Sequence, residues 1–547
     1  MFRKITINCL KVIFGFAVVI ALLSAVFAWR LSEGPVSVKF LLPYAKGLLH
    51  RANGEVKIDL DDLIITWAGW ERAVDLRALQ VRLRSPSTGE QPTRIDEISV
   101  TLSTRALFQG ELSPTKLEII RPLIHLSRSE NGSLQLDLSQ SQTGSERTKN
   151  HLIPNLLVEL AQPPDVKSQL QYLTNVSIVG ASMSFDDQKH GSTWNARNTN
   201  ITMERTPLGS RASFDVTLDL MTSKPKLVGQ ANFSRSTNTI DINARFSELN
   251  LRDVPNRPKR LGKLRFLDAS IDGDISARLS VAGAVEFARF KMEASSGVIE
   301  TFGLGPQPVA FQSLGVTGHL TRHPDQLHIS NLTAKFEDAT AEAKGVVTRV
   351  GDIAKLNASI QIPELSYDEM RKLWLPGVGK QTRDWIVTNV HKGVITNGSA
   401  NLTASIKLDS DPSDSFQIDS INGRFGLEDI TVNYLSQMPP ITQLLATTRF
   451  DANRFDFTVH EGHVGELKID EGTVAITDME KATKLLSIST LLRGPVHSAL
   501  DLIARPRLNI PQRFKQAGKG AKGRHETHLN IALPLKSSLK AKDIRVT

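Results

Sequence analysis

Three short stretches hold the residue types that could do chemistry. "HEGH" groups His460, Glu461 and His463, and "HETH" groups His525, Glu526 and His528. A zinc hydrolase needs two histidines four apart on one helix face, with the glutamate as general base. Here they are three apart in sequence that reads as strand or loop, where such residues point to opposite faces. Structural or solvated histidines are therefore the better reading. "GVGKQT" (377–382) has part of a phosphate loop, but Gln381 follows Lys380 where Ser or Thr is needed, and Trp374 occupies the first glycine position. No GxSxG elbow occurs, and the acidic residues alternate along strand patterns without forming a catalytic pair. Cys9 is the single cysteine, which excludes an intrachain disulfide and a cysteine-based zinc site. The sequence predicts no enzyme, metal or cofactor.

The elements around these stretches carry more information. In "NTIDINARFSELNL", Ile240, Ile242, Ala244 and Phe246 alternate with Asp241, Asn243 and Arg245. "ARFKMEASS" repeats this with Phe290 and Met292, and "FDFTVHEGHVGELKIDEGTVAIT" repeats it again. Strict alternation marks strands with one wet and one dry face. "VKIDLDDLIITWAG", "VDLRALQVRLRS" and "IDEISVTLS" read the same way. Turns between them are short, so the strands form an antiparallel meander without room for crossovers. Helices are expected in "VSVKFLLPYAKGLLHRA", around 153–161, across 366–391 and at "PPITQLLATT", and a brief helical or turn insert at "STRALFQGE". Pro122 cannot donate to a ladder, which places it at a bulge or an edge. "SQSQTGSERTKN" (139–150) and "DSDPSDS" (409–415) are polar linkers.

Composition sets outer limits. Of 547 residues 40% are hydrophobic and 22% charged, which argues against wholesale disorder. A formal charge of +9 favours anionic surfaces without identifying one. Two basic runs, "RPKRLGKLR" (257–265) and "RFKQAGKGAKGR" (513–524), read as solvated loops, with anionic lipid headgroups as the other reading. The aromatic stacking partners of a nucleic-acid surface are missing.

From Val12 to Trp29 runs "VIFGFAVVIALLSAVFAW", eighteen residues without a charge. As a helix it spans about 27 Å, near the hydrocarbon thickness of a bilayer. Arg3, Lys4 and Lys11 precede it, so the N-terminus is expected in the cytoplasm and the remainder outside. A cleaved signal peptide, cut near Val26-Phe27-Ala28, is the competing reading; the length of the run favours a retained anchor.

The fold class expected is mainly β: an N-terminal transmembrane helix, then a long, curled antiparallel sheet with a few short helices. The regions are an anchor at 1–30, a helix and strand region at 31–150, a central β region at 151–408 with a helical insert at 366–392, and a C-terminal strand region at 409–547. The dry faces could close against each other as sandwiches or leave an open apolar groove. Small and medium apolar residues with few large aromatics favour the groove. Its lining would include Phe233, Ile240, Ile242, Phe246, Phe290 and Met292.

"IDEISVTLSTRALFQGELSPTKLEIIRPLIHLSRSENGSLQL" resembles the N-terminal signature of AsmA-like envelope proteins, with Arg121-Pro122 ending a strand. "VSIVGASMSFDDQKHGSTWNARNTNITM" (176–203) is similar to their next repeat, with Gly180, Asp186 and Trp194 in order. "LWLPGVGKQTRDWIVTNVHKGVITNGSANL" (373–402) resembles the helical insert of the YhdP-type branch, through Trp374, Pro376, Arg383, Trp385 and Gly393, with Leu375 separating the Trp and Pro. The resemblance implies a bridge-like protein anchored in the bacterial inner membrane through residues 12–29. Its β-groove would move phospholipid through the periplasm toward the outer membrane and an envelope partner there. It carries over no catalytic residue. An envelope scaffold or outer-membrane assembly factor with a closed core is the alternative. Members are usually longer, so "KAKDIRVT" is expected to end a fragment or a short member.

Overall fold

In a computed structural model, the described residues are scattered positions between 14 and 39 and most of 57–137 and 159–546. The longer stretches outside them are 40–56, 67–74, 85–92, 138–158, 254–266, 301–307, 375–379, 409–415, 506–519 and 536–544. Strands make up 69% of the described residues. The chain divides into two compact units. The first is residues 1–249 with 253–258 and 276–285, and the second is 250–252, 259–275 and 286–547.

Alternation builds the first unit. Strands Thr239–Asn250, Lys226–Ser234, Gly209–Leu218, Ser192–Thr206 and Asn175–Asp187 pair in sequence as an antiparallel meander. Pro114–Ile120 and Leu123–Arg128 then both pair with Asn175–Asp187 in parallel. This corrects the expectation of a purely antiparallel sheet. The long connection between Arg128 and Asn175 permits parallel pairing, which a short turn cannot, and the pairing continues across Arg121 and Pro122. Arg121 adopts φ 48° and sits between the two strand segments. Its N–H donates to the Val179 carbonyl (2.8 Å), and the buried Pro122 accepts from the Ser182 N–H (3.1 Å). Pro122 therefore lies at an irregularity inside the sheet. Gly180 opposite has φ 65°, a conformation glycine adopts without steric cost.

The nearest closed core in this unit gathers Val38, Leu63, Val81, Ile95, Ile119 and Ile178. Helix α1, Thr104–Phe108, fills the expected insert. Val36–Ser37, expected as helix, is instead a strand paired with Ile64 and Ile65. Only three residues of the expected 153–161 helix are described, and these three, 159–161, are helical.

The second unit is an antiparallel meander from Val285–Ala294 through Arg524–Leu535 and on to Arg545–Val546. A separate three-stranded sheet joins Leu267–Asp268, Gly297–Ile299 and Val309–Phe311. Helices α2 (Tyr367–Leu373) and α3 (Lys380–Asn389) occupy the predicted insert. The hydroxyl of Ser366 caps α2 by accepting from the Glu369 N–H at 3.1 Å.

"PPITQLLATT" is not a helix. Ile441–Asp451 is a strand paired on both sides, and Gln443 at φ 51° lies where its register shifts. Ladder partners at 416–432 and 455–464 override the helical propensity of Leu444-Leu445-Ala446. Conversely Val496–Ile503, not anticipated from sequence, forms helix α4 after Pro495.

Of the apolar run 12–29, the described positions Phe14, Val18, Val19, Leu22, Ala25, Val26 and Trp29 are helical, and the rest lies outside the described residues. Among the described residues no helix is long and apolar enough to cross a membrane.

Candidate functional site

Following the register from strand to strand shows what alternation has assembled. In the second unit each residue of one row is the cross-strand partner of the next: Met292, Val316, Leu332, Ala343, Ile360, Ala400, Gly423, Phe450, Phe455, Ile476, Leu486 and Leu533. Partners across a ladder project from the same face, so this is an apolar strip without a polar interruption. At about 4.8 Å per strand its eleven steps run about 50 Å along the sheet. Every one of these residues is half-buried. A strip pressed against a second layer would be buried like a core; this one keeps part of its surface open.

The first unit has its own strip. Ile242, Ala231, Ala212, Met203, Val176, Leu117, Val100, Leu76, Ile65 and Val36 are successive partners. All but Val176 are half-buried. The opposite faces are wet. Arg278 binds Asp241 at 2.8 Å, and Ser276 donates to Asn243 at 2.7 Å. In the second unit Lys468, Asp470, Arg493 and Glu526 form an ion-pair ladder, with Arg493 at 2.7 Å from Asp470 and 2.9 Å from Glu526.

The predicted lining residues fall as follows. Ile242 and Met292 are members of the two strips. Phe233 and Ile240 face each other across one ladder, both half-buried. Phe246, opposite Leu227, is buried. Phe290 is half-buried, and its ring lies across its partner Gly318, where a Cβ would come 2.7 Å from Phe290 Cζ. The ring thus adds apolar area without standing up from the sheet. Phe214 over Gly229 and Phe450 over Gly423 repeat the arrangement, at 2.7 and 2.6 Å.

The motif residues of the helical insert act on its geometry. Arg383, on α3, donates from Nε to the Trp374 carbonyl at the end of α2 (2.6 Å) and from Nη2 to the Arg371 carbonyl (3.3 Å). It therefore ties the two helices together. Tyr367 adds a second tie, its hydroxyl donating to the Val387 carbonyl at 3.1 Å. Replacing Arg383 with Ala is expected to cost about 2 kcal/mol, the scale of charged hydrogen bonds lost from partly buried carbonyls. Heightened protease cleavage within 366–391, with the flanking strands still protected, is the measurement. Trp385 is 49% exposed. Gly393 lies near the start of the strand Val390–Lys407 at φ 133° and packs against Ile430. Pro376 lies outside the described residues.

Latches hold the helices to the sheet. Lys372 of α2 binds Glu337 (2.7 Å) and Glu369 (3.1 Å), and these contacts, Glu337 first, raise its pKa. Glu466 accepts from Ser498 and His497 of α4; the Ser498 hydroxyl, then the His497 charge, holds its carboxyl below the usual carboxylate range. Leu502 of α4 packs against the buried cluster of Ala446, Val459, Val464, Ile469 and Leu492.

The stretches with enzyme-like residues show no such assembly. His460 bonds the Thr447 hydroxyl at 3.0 Å and His525 that of Thr527 at 2.9 Å, all on strands. Lys380–Thr382 begins α3. Among the described residues no group of three His, Cys, Asp or Glu could hold a metal ion.

The family model for the YhdP protein matches residues 230–546, more than half of the chain. The chain belongs to the YhdP family. The matched region holds the whole second-unit strip and the insert from which the YhdP-type resemblance was read. No curated protein and no solved structure matches the chain.

Proposed function

We propose that this YhdP-family protein is a non-enzymatic lipid conduit. It is anchored in the bacterial inner membrane through residues 12–29, lies mainly in the periplasm, and carries phospholipid acyl chains along its dry faces toward the outer membrane. The observation that carries this reading is the unbroken, half-open strip from Met292 to Leu533. Each acyl CH₂ in water costs about 0.8 kcal/mol, so a sixteen-carbon chain costs about 13 kcal/mol. A strip with no polar step lowers that cost all along the path, and an open face leaves the headgroup in water. Such work needs continuity and no reactive group. A closed-core scaffold would instead need a second layer over these faces.

Photo-crosslinking tests the reading through its period. A photoreactive residue at Leu332, Ile360 or Leu486 is expected to give lipid adducts in cells, while one at the exposed Asn331, Gln361 or Ser487 gives none. Equal adducts on both faces, or none on either with the protein present at normal level, would overturn the conduit.

A further inference from the structure

The two rims of the dry face in the second unit are built differently. At one rim lie all the helices described for this unit: α2 and α3 between strands Ile353–Ser366 and Val390–Lys407, and α4 after Lys484–Pro495. Antiparallel succession brings the 433–440 connection and the Gly465-Glu466 turn to this same rim. It is fastened by Lys372 to Glu337, by Glu466 to His497 and Ser498, and by Arg505, whose Nη1 lies 3.5 Å from the Gln437 carbonyl. Dry-face residues beside it, among them Val464, Ile469 and Leu492, are buried with Leu502 packed against them.

The opposite rim has no helix among the described residues. Short turns connect its strands at Gly351-Asp352 and at 452–454. Large dry-face side chains next to these turns stay partly open, while the smaller Ala354, Ala404 and Thr448 among them are buried. Phe450 and Phe455 stack at 5.2 Å and are half-buried, and Ile418, partner of Ala404, is 50% exposed.

From this asymmetry we infer that a transported amphiphile keeps one orientation: its polar head travels along the short-turn rim and its chains lie toward the helix rim. The inference rests on the conduit reading and adds to it the side on which the head emerges. An acyl chain on the strip can leave the face for water only where the rim is uncovered. A phosphate head forced toward the helix rim would have to displace Leu502 and desolvate against apolar residues, a penalty of at least a few kcal/mol. The short-turn rim also carries the polar groups of Asp451, Asn453 and Arg454 beside water, with Arg454 paired to Asp456 at 2.7 Å.

The test uses the full chain in membranes supplied with two photoreactive phosphatidylethanolamines, one with a diazirine on the head amine and one with it at the chain end. Adducts are mapped by mass spectrometry. The head probe is expected to label residues 418–420 and 452–454 at least about tenfold more than residues 496–503, the ratio equivalent to about 1.4 kcal/mol. The chain probe is expected on Ile360 and Phe450. Head-probe adducts concentrated on 496–503 or 433–440, or equal on both rims, would overturn the orientation while leaving the conduit intact. If neither probe labels the protein, the conduit reading fails and the orientation with it.

Discussion

Aspartate in place of Ile242 or Phe290 is expected to stop lipid passage while the protein still accumulates. Both side chains are half-buried on dry faces, and Ile242 is a member of the first-unit strip. A carboxylate there can keep water on its exposed side, so folding does not bear the full cost of an isolated buried charge, which would be many kcal/mol. A passing acyl chain would have to strip that water or detour, and the break falls in a path whose value lies in continuity. Lipid adducts at neighbouring strip positions should fall by about tenfold or more, equivalent to a barrier of at least 1.4 kcal/mol. Asn243→Asp is the control, because Asn243 is exposed on the wet face. Loss of both variants from the cell while Asn243→Asp persists, with no adducts in the parent protein, would make the face a closed core and defeat the conduit.

Gly393→Val, in the strand that follows the helical insert, is expected to damage the fold strongly. At φ 133° Gly393 occupies backbone space that side chains rarely enter, and a Cβ would lie 2.2 Å from Ile430 Cδ1 and 2.9 Å from Ile430 Cα. Ile430 is itself 6% exposed and cannot swing into solvent. Backbone strain of about 1–3 kcal/mol adds to overpacking of about 1–3 kcal/mol, so a loss of about 3–4 kcal/mol is expected. A thermal or protease-resistance measurement should show the 366–432 region opening first, and shortening Ile430 to Ala should restore only part of the loss. Parent-like resistance for Gly393→Val would refute the tight packing.

Much of this was legible locally. Period-two stretches such as "TIDINARF" and "ARFKMEA" identified strands and named their dry sides, and Ile242 and Met292 fall on strips traced by cross-strand partners. The insert at 366–391 was legible as helical punctuation between strands, and the structure gives Arg383 a task there as a link between two helices. One misreading has a cause that no local pattern contains. Leu444-Leu445-Ala446 has helical propensity, yet a strand with ladder partners on both sides forms there, because those hydrogen bonds come from residues distant in sequence. Helix α4 was concealed inside a region of strands, although Pro495 followed by apolar residues at 496, 499, 500 and 503 is a helix-start signal.

By itself, then, the sequence determined which residues alternate and so which side chains share a face, because a strand's side-chain period is a local property of its backbone. It could not determine which residue stands opposite which. Register depends on turns, on irregularities such as that between Thr442 and Leu445, and on pairings such as the parallel one between Leu117 and Val176. Only the tertiary structure aligned Met292 with Val316 and so on to Leu533, left that strip half-open, and put the helices of the second unit on one rim. Continuity and coverage are properties of neighbours in space, and a one-dimensional pattern does not contain them.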